Sequence, residues 1–129
     1  MLLDISKTLL HSLGIEITKL EKGLVVATMP VDDRTRQPFG LLHGGASVAL
    51  AETVASVGAF ELIDQETEAA VGLEINANHV KGKRDGVVTA TGTVLHQGKT
   101  TMVWDVKIAD EDGNLVCISR CTMAVIKRR

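Results

Sequence analysis

The sequence predicts an α+β fold in which one long, alanine-rich helix covers one face of an antiparallel β-sheet. Small and apolar side chains run almost unbroken from residue 44 to residue 63, which is typical of a buried helix. Stretches rich in β-branched residues follow between residues 70 and 127, separated by turn signals. The length of 129 residues, with 45% hydrophobic and 2% aromatic content, indicates a single domain spanning 1–129 with an aliphatic core.

The elements before the long helix are predicted to be short. Apolar residues at helical spacing predict a first helix over residues 2–12, which stops at Gly14. Strands are predicted over 15–20 and 22–31. The polar stretch 31–42 contains a proline and a glycine, so it is predicted to be the loop that leads into the long helix.

The elements after the long helix are predicted to be antiparallel strands. A polar connection at 64–68 leaves the helix, and the sequence DEDG at 110–113 is a hairpin turn signal. Strands that are joined by tight turns pair antiparallel, so we expect a meander of three or four strands. The strand-like stretches are 70–82, 86–98, 100–109 and 114–127.

Charge and composition exclude several classes of protein. The net charge is -2 and the only basic block lies at 127–129, which argues against nucleic-acid binding through bulk charge. No apolar run approaches the roughly 20 residues of a membrane span. The N-terminus shows no basic region followed by an apolar stretch, so we expect no signal peptide and a cytoplasmic protein without membrane contact.

The cysteines and histidines predict neither a disulfide nor a metal site. Cys117 and Cys121 lie in one predicted strand at a separation of roughly 13 Å, whereas a disulfide requires Cα atoms closer than about 7 Å. Two separate thiols on one face fit a reducing cytoplasm. The four histidines show no tight ligand spacing, so we expect no metal.

The sequence HGG at 43–45 is the first candidate for chemistry. The first N–H groups of a helix have no intrahelical partner and lie at the positive end of the helix dipole, so they can polarise a carbonyl or hold an oxyanion. The alternative is a glycine-rich turn in which His43 only caps the helix. Gln37, in the preceding loop, is a further polar candidate whose alternative role is that of a solvated loop residue.

Glu52 is a lone carboxylate in the middle of the long helix. Its neighbours on the same face, which include Val48, Ala49 and Ala55, are small and apolar, and Ser56 follows one turn later. A solvated helix face carries more charge than this, so a pocket is the functional interpretation. The alternatives are a solvent-facing or lysine-paired glutamate, and a Ser56 hydroxyl that bonds back to its own helix.

The spacing of Glu52 and Gly44 adds a geometric constraint. Eight residues separate them, which is roughly 12 Å along a helix. One reacting carbonyl cannot contact both groups of a single helix. Either the two are unrelated, or a site combines Gly44 of one chain with Glu52 of another. The second interpretation predicts a homodimer with two helices side by side in opposite directions and two equivalent sites.

Basic residues at two places could meet phosphates at the mouth of a pocket. Lys81, Lys83 and Arg84 follow one predicted strand, while Lys99 and Thr100 lie in the turn between two later strands. A charge run of this kind is usually a solvated turn, and the sequence leaves both interpretations open.

Three segments together resemble the hotdog-fold acyl-CoA thioesterases. They are QPFGLLHGGASVALAETVAS at 37–56, GLEINANHVK at 72–81 and GNLVCISRCTMAV at 113–125. The resemblance covers most of the chain. It is strongest to the branch that acts on aromatic acyl-CoAs, which includes 4-hydroxybenzoyl-CoA and 1,4-dihydroxy-2-naphthoyl-CoA thioesterases and their phenylacetate-pathway relatives. It implies a hotdog fold, an antiparallel sheet wrapped around one long central helix.

The resemblance also implies a role for each candidate residue. Gly44 N–H would hold the thioester carbonyl, and Glu52 of the opposing subunit would act as nucleophile or general base. His43 and Gln37 would support the carbonyl end of the substrate, and Ser56 would position the attacking water. The residues implied to contact the remainder of the substrate or CoA are Gly45, His79, Lys81, Lys83, Arg84, Lys99 and Thr100.

The leading hypothesis is therefore a thioesterase that hydrolyses aromatic or medium-chain acyl-CoA to free acid and CoA. The CoA thioester is the substrate, so no separate cofactor is expected, and the resemblance implies a homotetramer built from two hotdog dimers. The alternative is a non-catalytic acyl-CoA-binding module, because hotdog domains also serve as ligand sensors. A hydratase would need its own aspartate–histidine pair, and no matching motif is found at 33–43.

Overall fold

The computed structural model describes residues 4–129, which form two helices and a six-stranded sheet. In chain order the elements are α1 (Leu9–Leu13), β1 (Glu16–Glu21), β2 (Leu24–Pro30), α2 (Gly44–Phe60), β3 (Glu68–His79), β4 (Val87–Gln97), β5 (Thr101–Ala109) and β6 (Leu115–Lys127). Neighbouring strands follow the order β1-β2-β4-β5-β6-β3, and every pairing is antiparallel. The predicted α+β class and antiparallel sheet are confirmed.

The first helix is shorter than the predicted span 2–12, whose first two positions lie outside the described residues. In the described part only Leu9–Leu13 is helical. The Thr8 hydroxyl donates to the Ile5 carbonyl oxygen at 2.7 Å, a local bond that competes with helical backbone bonds. Gly14 ends the helix as predicted, in the left-handed conformation at φ 74°.

The strand after α2 lies elsewhere than in the predicted meander. β4, β5 and β6 do form a meander, but β3 pairs with β6 at the far edge of the sheet. The predicted strand 70–82 ends at His79, because the N–H groups of Val80 and Lys81 both donate to the Val116 oxygen. The connection from β3 to β4 is therefore not a tight hairpin turn.

The long helix ends at Phe60 rather than at residue 63. The N–H groups of the next two residues turn back to carbonyls of the last helical turn, Glu61 to Val57 and Leu62 to Ala59. These bonds close the helix C-terminus before the polar connection to β3 begins.

α2 packs closely on the sheet because its inner face is built from small residues. Leu50 and Val54 are fully buried there, and burying such a side chain stabilises the fold by about 1.5–3 kcal/mol. Gly58 lies so near the Trp104 ring that a Cβ would overlap it. Trp104 is fully buried in β5, and its indole N–H has no hydrogen-bond partner among residues 4–129.

β3 forms an open edge of the sheet beside α2. Its side chains Val71 and Leu73 are 42% and 61% exposed, and the pairing with β6 shifts register between Gly72 and Glu74. No other strand in the described part of the chain pairs with its outer side. Long exposed edges of this kind are ready to pair with a second chain.

The two cysteines lie in β6 as separate thiols, as predicted, and both are on its buried face. Cys117 and Cys121 are both fully buried and both free. No helix within residues 4–129 is long and apolar enough to cross a membrane.

Candidate active site

The N-terminus of α2 is capped by His43 and leaves one N–H group open. His43 Nδ1 accepts a hydrogen bond from Gly45 N–H at 2.7 Å, so the capping role considered for His43 is real. Gly44 N–H has no acceptor within residues 4–129. The cap therefore holds the first turn in place while one donor at the positive end of the helix dipole stays available.

Gln37 organises the loop that precedes α2. Its side-chain oxygen accepts from Phe39 N–H at 2.5 Å, and its backbone N–H donates to the Leu41 oxygen at 2.8 Å. These two bonds use the side-chain oxygen and the backbone N–H of Gln37, and neither uses its side-chain nitrogen. Gln37 is thus more than a solvated loop residue, because it fixes the loop and lines a cavity with its amide.

A cavity of about 370 Å³ lies at the start of α2, and we call it the glycine cavity. Gly44 has no room for a side chain there, since a Cβ would lie 2.9 Å from His79 Nε2. His79, at the end of β3, therefore lies directly beside the helix N-terminus. The residues that line the glycine cavity are Gln37, Leu41, Leu42, Gly44, Ser47, His79, Val80, Lys81, Gly82 and Val116.

A second cavity of about 660 Å³ lies further along α2, and we call it the glutamate cavity. One wall is the exposed face of α2 and the other is the N-terminal segment with α1. Its lining is largely apolar, with Glu52 and Ser56 on the helix wall. The full lining is Asp4, Ile5, Thr8, Leu9, Leu10, Gly45, Val48, Ala49, Glu52, Thr53, Ser56 and Val57.

Glu52 is half-buried in this cavity, and it forms neither a hydrogen bond nor an ion pair with any described residue. The lysine-paired alternative is therefore not what the structure contains. The Ser56 hydroxyl contacts Met123 Sδ at 4.0 Å, whereas the neighbouring Thr53 hydroxyl bonds back to the Ala49 oxygen at 2.7 Å. Glu52 and Ser56 thus both present polar atoms without strong internal partners.

Gly72 was missed by the sequence analysis, although it controls where the glutamate lies. A Cβ at Gly72 would be 2.6 Å from Glu52 Oε2, so the carboxylate occupies space that only glycine leaves free. The register shift beside Gly72 marks a bulge in β3. A glycine inside a predicted strand often indicates a bulge or a close approach, and this signal was present in the sequence.

The buried thiols near Glu52 are held in their neutral form. Burial, together with the nearby carboxylates of Glu52 and Glu74, raises the pKa of Cys121 to about 11. Burial also raises the pKa of Cys117. A protonated, buried thiol is a poor nucleophile, so neither cysteine is suited to nucleophilic chemistry.

Two of the predicted phosphate contacts are engaged in ion pairs. Lys81 Nζ lies 2.6 Å from Asp110 Oδ2, and Lys83 Nζ lies 2.6 Å from Glu111 Oε1. Arg84 forms no ion pair with the described residues, and its guanidinium lies near Gly40 at the same end of the sheet. The acidic turn after β5 was read only as a turn signal, because its lysine partners are far away in sequence.

The ion pairs also lower the pKa values of their two acidic partners, Asp110 and Glu111. The Lys83 ammonium lowers the pKa of Glu111 to about 2, helped by a hydrogen bond from Val87 N–H. Lys81 holds the pKa of Asp110 well below its ordinary value, with further help from the N–H groups of the same turn.

The other predicted phosphate contacts lie at the opposite end of the sheet. Lys99 and Thr100 precede β5, whose far end leads to Asp110, and nine residues of strand span about 30 Å. One chain therefore does not bring Lys99 and Thr100 together with Lys81. Within residues 4–129 no group of three potential ligands could hold a metal ion.

Gly44 and Glu52 line different cavities of the same chain, as the helix rise predicts. The glycine cavity supplies an N–H donor, an imidazole and an amide. The glutamate cavity supplies a carboxylate and a hydroxyl among apolar side chains. Neither cavity alone has both the Gly44 N–H donor and a carboxylate.

The sequence of this chain matches the model of the thioesterase superfamily over residues 39–117. It is also 53% identical over 119 residues to a 1,4-dihydroxy-2-naphthoyl-CoA hydrolase from Listeria monocytogenes. That similarity covers 92% of this chain and 96% of the relative.

Solved structures show the same fold. A thioesterase from Staphylococcus aureus with a glutamine replaced by alanine has a TM-score of 0.89 and 48% identity, and the match covers 91% of this chain and 97% of that one. The same protein with a glutamate replaced by alanine has a TM-score of 0.91 and 48% identity, covering 93% and 99%. Its two replaced positions are fifteen residues apart, as are Gln37 and Glu52 here.

One similar structure contains the expected type of ligand. A hypothetical thioesterase from Streptococcus pneumoniae was solved with coenzyme A. It has a TM-score of 0.80 and 33% identity, and the match covers 89% of this chain and 88% of that chain.

Proposed function

We propose that this chain, which belongs to the thioesterase superfamily and is a thioester hydrolase, cleaves aromatic or medium-chain acyl-CoA to the free acid and CoA. The observation that carries the proposal is the division of reactive groups along α2. An unbonded Gly44 N–H faces the glycine cavity, and an unpaired, half-buried Glu52 faces the glutamate cavity.

The proposed catalytic unit is a homodimer in which Gly44 of one protomer meets Glu52 of its partner. Roughly 12 Å of helix separates the two groups in one chain, which is too far for one carbonyl. Two antiparallel copies of α2 related by a two-fold axis would create two equivalent sites. The open edge of β3, with Val71 and Leu73 exposed, supports pairing of two sheets beside the helices.

In this mechanism Gly44 N–H polarises the thioester carbonyl from the positive end of the helix dipole. His43 and Gln37 hold that end of the site in place through the cap and the loop bonds described above. The carboxylate of Glu52 either takes a proton from water as the water attacks, or attacks the carbonyl itself to form a mixed anhydride that water then hydrolyses to the free acid. In both routes the C–S bond breaks and CoA leaves as a thiolate. Thiolate is a good leaving group, so no strong general acid and no cofactor are required.

The remaining contacts of the substrate are assigned to residues around the start of α2 and to the cations near it. His79 would lie beside the thioester and the pantetheine arm, and Gly45 beside the carbonyl. Arg84 is the most available cation for the CoA phosphates, because Lys81 and Lys83 must first exchange their carboxylate partners.

The distant pair Lys99 and Thr100 would meet the CoA phosphates of this site only from another protomer, since one chain separates that pair from Lys81 by about 30 Å. A homotetramer of two dimers is the proposed assembly. The free, buried thiols fit a cytoplasmic location.

The spacing in the Staphylococcus aureus thioesterase supports the choice of residues. Its replaced glutamine and glutamate have the same separation as Gln37 and Glu52. Gln37 and Glu52 were chosen here from their surroundings in the sequence, and they have the same spacing as the two residues that were replaced in this relative.

The test is a thiol-release screen over aromatic and aliphatic acyl-CoAs with the wild type and Glu52→Gln. We expect release of free CoA with the wild type and a loss of about 10²–10⁴-fold in kcat for the variant. Product analysis for free acid excludes hydration of the acyl chain. Tight binding of acyl-CoA without thiol release across the panel would instead support the non-catalytic binding module.

A further inference from the structure

The glutamate cavity has a second wall that the proposed mechanism does not use. Residues of the N-terminal segment face α2 across about 660 Å³, a volume in the usual range of small-molecule sites. The segment is anchored at its C-terminal end, where Ile15 N–H donates to the Leu10 oxygen at 2.8 Å. Nearer to its start the segment is more exposed to solvent, since the side chains of Ile5 and Leu9 are 36% and 57% exposed.

The chemistry of this cavity is apolar with a negative rim. Among the described residues that line it, Asp4 and Glu52 are ionisable, and none is a lysine, arginine or histidine. Hydrogen bonds from Ser6 lower the pKa of Asp4, which keeps that carboxylate ionised at neutral pH. The apolar members of the lining are Ile5, Leu9, Leu10, Val48, Ala49 and Val57.

We propose that the N-terminal segment 4–10 is the outer wall of the acyl site, and that Asp4 together with Glu52 restricts this site to acyl groups that carry no negative charge. The inference rests on the proposed function, because it places the acyl group beside the attacking carboxylate. Leu9 sets the size of the acyl group that fits, and Asp4 disfavours acyl chains that end in a carboxylate.

The physical reason is that the lining of this cavity contributes no compensating cation from residues 4–129. A carboxylate on the acyl chain would approach two negative side chains, the half-buried Glu52 among apolar neighbours and the exposed Asp4 at the rim. Like charges repel, and the repulsion is stronger beside Glu52, where water is partly excluded. An aromatic ring or an alkyl chain loses nothing by entering and buries apolar surface against Leu9, Val48 and Val57.

The charge test compares hexanoyl-CoA with adipoyl-CoA, which differ by a terminal carboxylate. We expect the wild type to prefer hexanoyl-CoA by more than about tenfold in kcat/KM. Asp4→Asn should raise the adipoyl-to-hexanoyl ratio by about threefold, and Asp4→Lys should raise it further. The matched control is Glu66→Gln, which removes the same charge from an exposed turn outside the cavity and should leave the ratio unchanged.

The size test changes Leu9, which is exposed enough for replacement without loss of folding. Leu9→Trp should lower kcat/KM for naphthoyl-CoA relative to butyryl-CoA by about tenfold, and Leu9→Ala should shift the preference the other way. Leu95→Trp is the control, because Leu95 is 55% exposed on β4 and lines neither cavity.

The outcomes separate this inference from the function on which it rests. If Glu52→Gln abolishes hydrolysis but no change at Asp4 or Leu9 alters either ratio, the acyl group lies elsewhere and the inference fails alone. If the Leu9 variants change only the dimer dissociation concentration, a second copy of the chain fills the cavity and the inference is again overturned. If no acyl-CoA is hydrolysed, both fail.

Discussion

The two cavities along α2 differ in the source of their polar groups, which is mainly the backbone in one and a side chain in the other. The glycine cavity takes its donor from the backbone of Gly44, and His79 and Gln37 are fixed around it by a close contact and by loop bonds. The glutamate cavity has a single charged side chain on its helix wall, Glu52, set among small and apolar neighbours. In the proposed mechanism the glycine cavity stabilises developing negative charge, and the glutamate cavity supplies the carboxylate.

This difference shows why one chain is an incomplete catalyst under the proposed mechanism. The helix dipole stabilises negative charge at the helix start, and that effect fades within the first turn. A carboxylate placed there would be stabilised by the same N–H that must activate the substrate. Placing Glu52 two turns later keeps it away from its own Gly44, and the partner protomer then brings the two groups together.

The largest expected effect comes from mixing two inactive variants. Gly44→Val would direct its side chain into the His79 imidazole, and Glu52→Gln lacks the carboxylate, so each homodimer should be inactive. A mixed dimer contains one site with an intact Gly44 and an intact Glu52. Co-expression of differently tagged chains should therefore recover about a quarter of the wild-type activity.

The mixing experiment has a clear opposite result. Sites contained within one chain would give no recovery in the mixture, even when purification through both tags proves that mixed dimers have formed. The composite site would then be wrong, whatever the activity of the wild type.

The next largest effect is expected at Gly72, which leaves the space that the Glu52 carboxylate occupies. Gly72→Ala should displace Glu52 Oε2, because the new Cβ would lie 2.6 Å from it, and kcat should fall by about 10- to 100-fold with little change in KM. Combining it with Glu52→Asp, whose shorter side chain avoids the clash, should cost less than the two changes predict separately. Additive losses in steady-state kinetics would show that Gly72 does not position the carboxylate.

A smaller effect is expected at Arg84, whose guanidinium lies near Gly40 in the loop before α2. Arg84→Ala should raise KM for acyl-CoA by about threefold to tenfold while kcat stays close to the wild-type value. Thioesters of pantetheine, which lack the nucleotide phosphates, should show no such change. Lys22→Ala, in the exposed turn between β1 and β2, serves as the control for loss of one positive charge. An equal rise in KM with both thiol carriers would contradict a phosphate contact.

The smallest effect is on stability at acid pH. Lys83 lowers the pKa of Glu111 from 4.5 to about 2, so the ion pair stabilises the fold fully above pH 4.5 and loses this contribution as the pH falls through about 2. Glu111→Gln should lower the melting temperature by at most a few degrees near neutral pH. The two melting curves should converge toward pH 2, and a constant difference at every pH would contradict the pairing.

The parts of the fold that depend on local pattern were predictable, and those that depend on distant partners were not. Glu52 was found because a lone charge in an apolar helix is visible in sequence. The position of β3 was not, since an edge strand and a meander strand have the same composition. The pairing of Lys81 with Asp110 joins residues that only the folded sheet brings together.

The predicted length of the first helix was wrong for a different reason. Its apolar spacing was helical, but the Thr8 hydroxyl bonds to the Ile5 oxygen and the residues before Leu9 form turns instead. Such side-chain bonds are cheap alternatives to helix formation in a short segment, where nucleation is costly. Gly72 lies inside a predicted strand, and a glycine at such a position commonly marks a bulge or a close contact, so its role could have been predicted from the sequence.

The buried indole of Trp104 provides a built-in optical probe. The chain has one tryptophan and no tyrosine, so its near-ultraviolet emission comes almost entirely from this ring. The ring is fully buried beneath Gly58 and lines neither cavity. Its fluorescence should therefore shift to longer wavelength only when α2 separates from the sheet. Emission spectra can in this way distinguish a variant that has lost chemistry from one that has lost its fold.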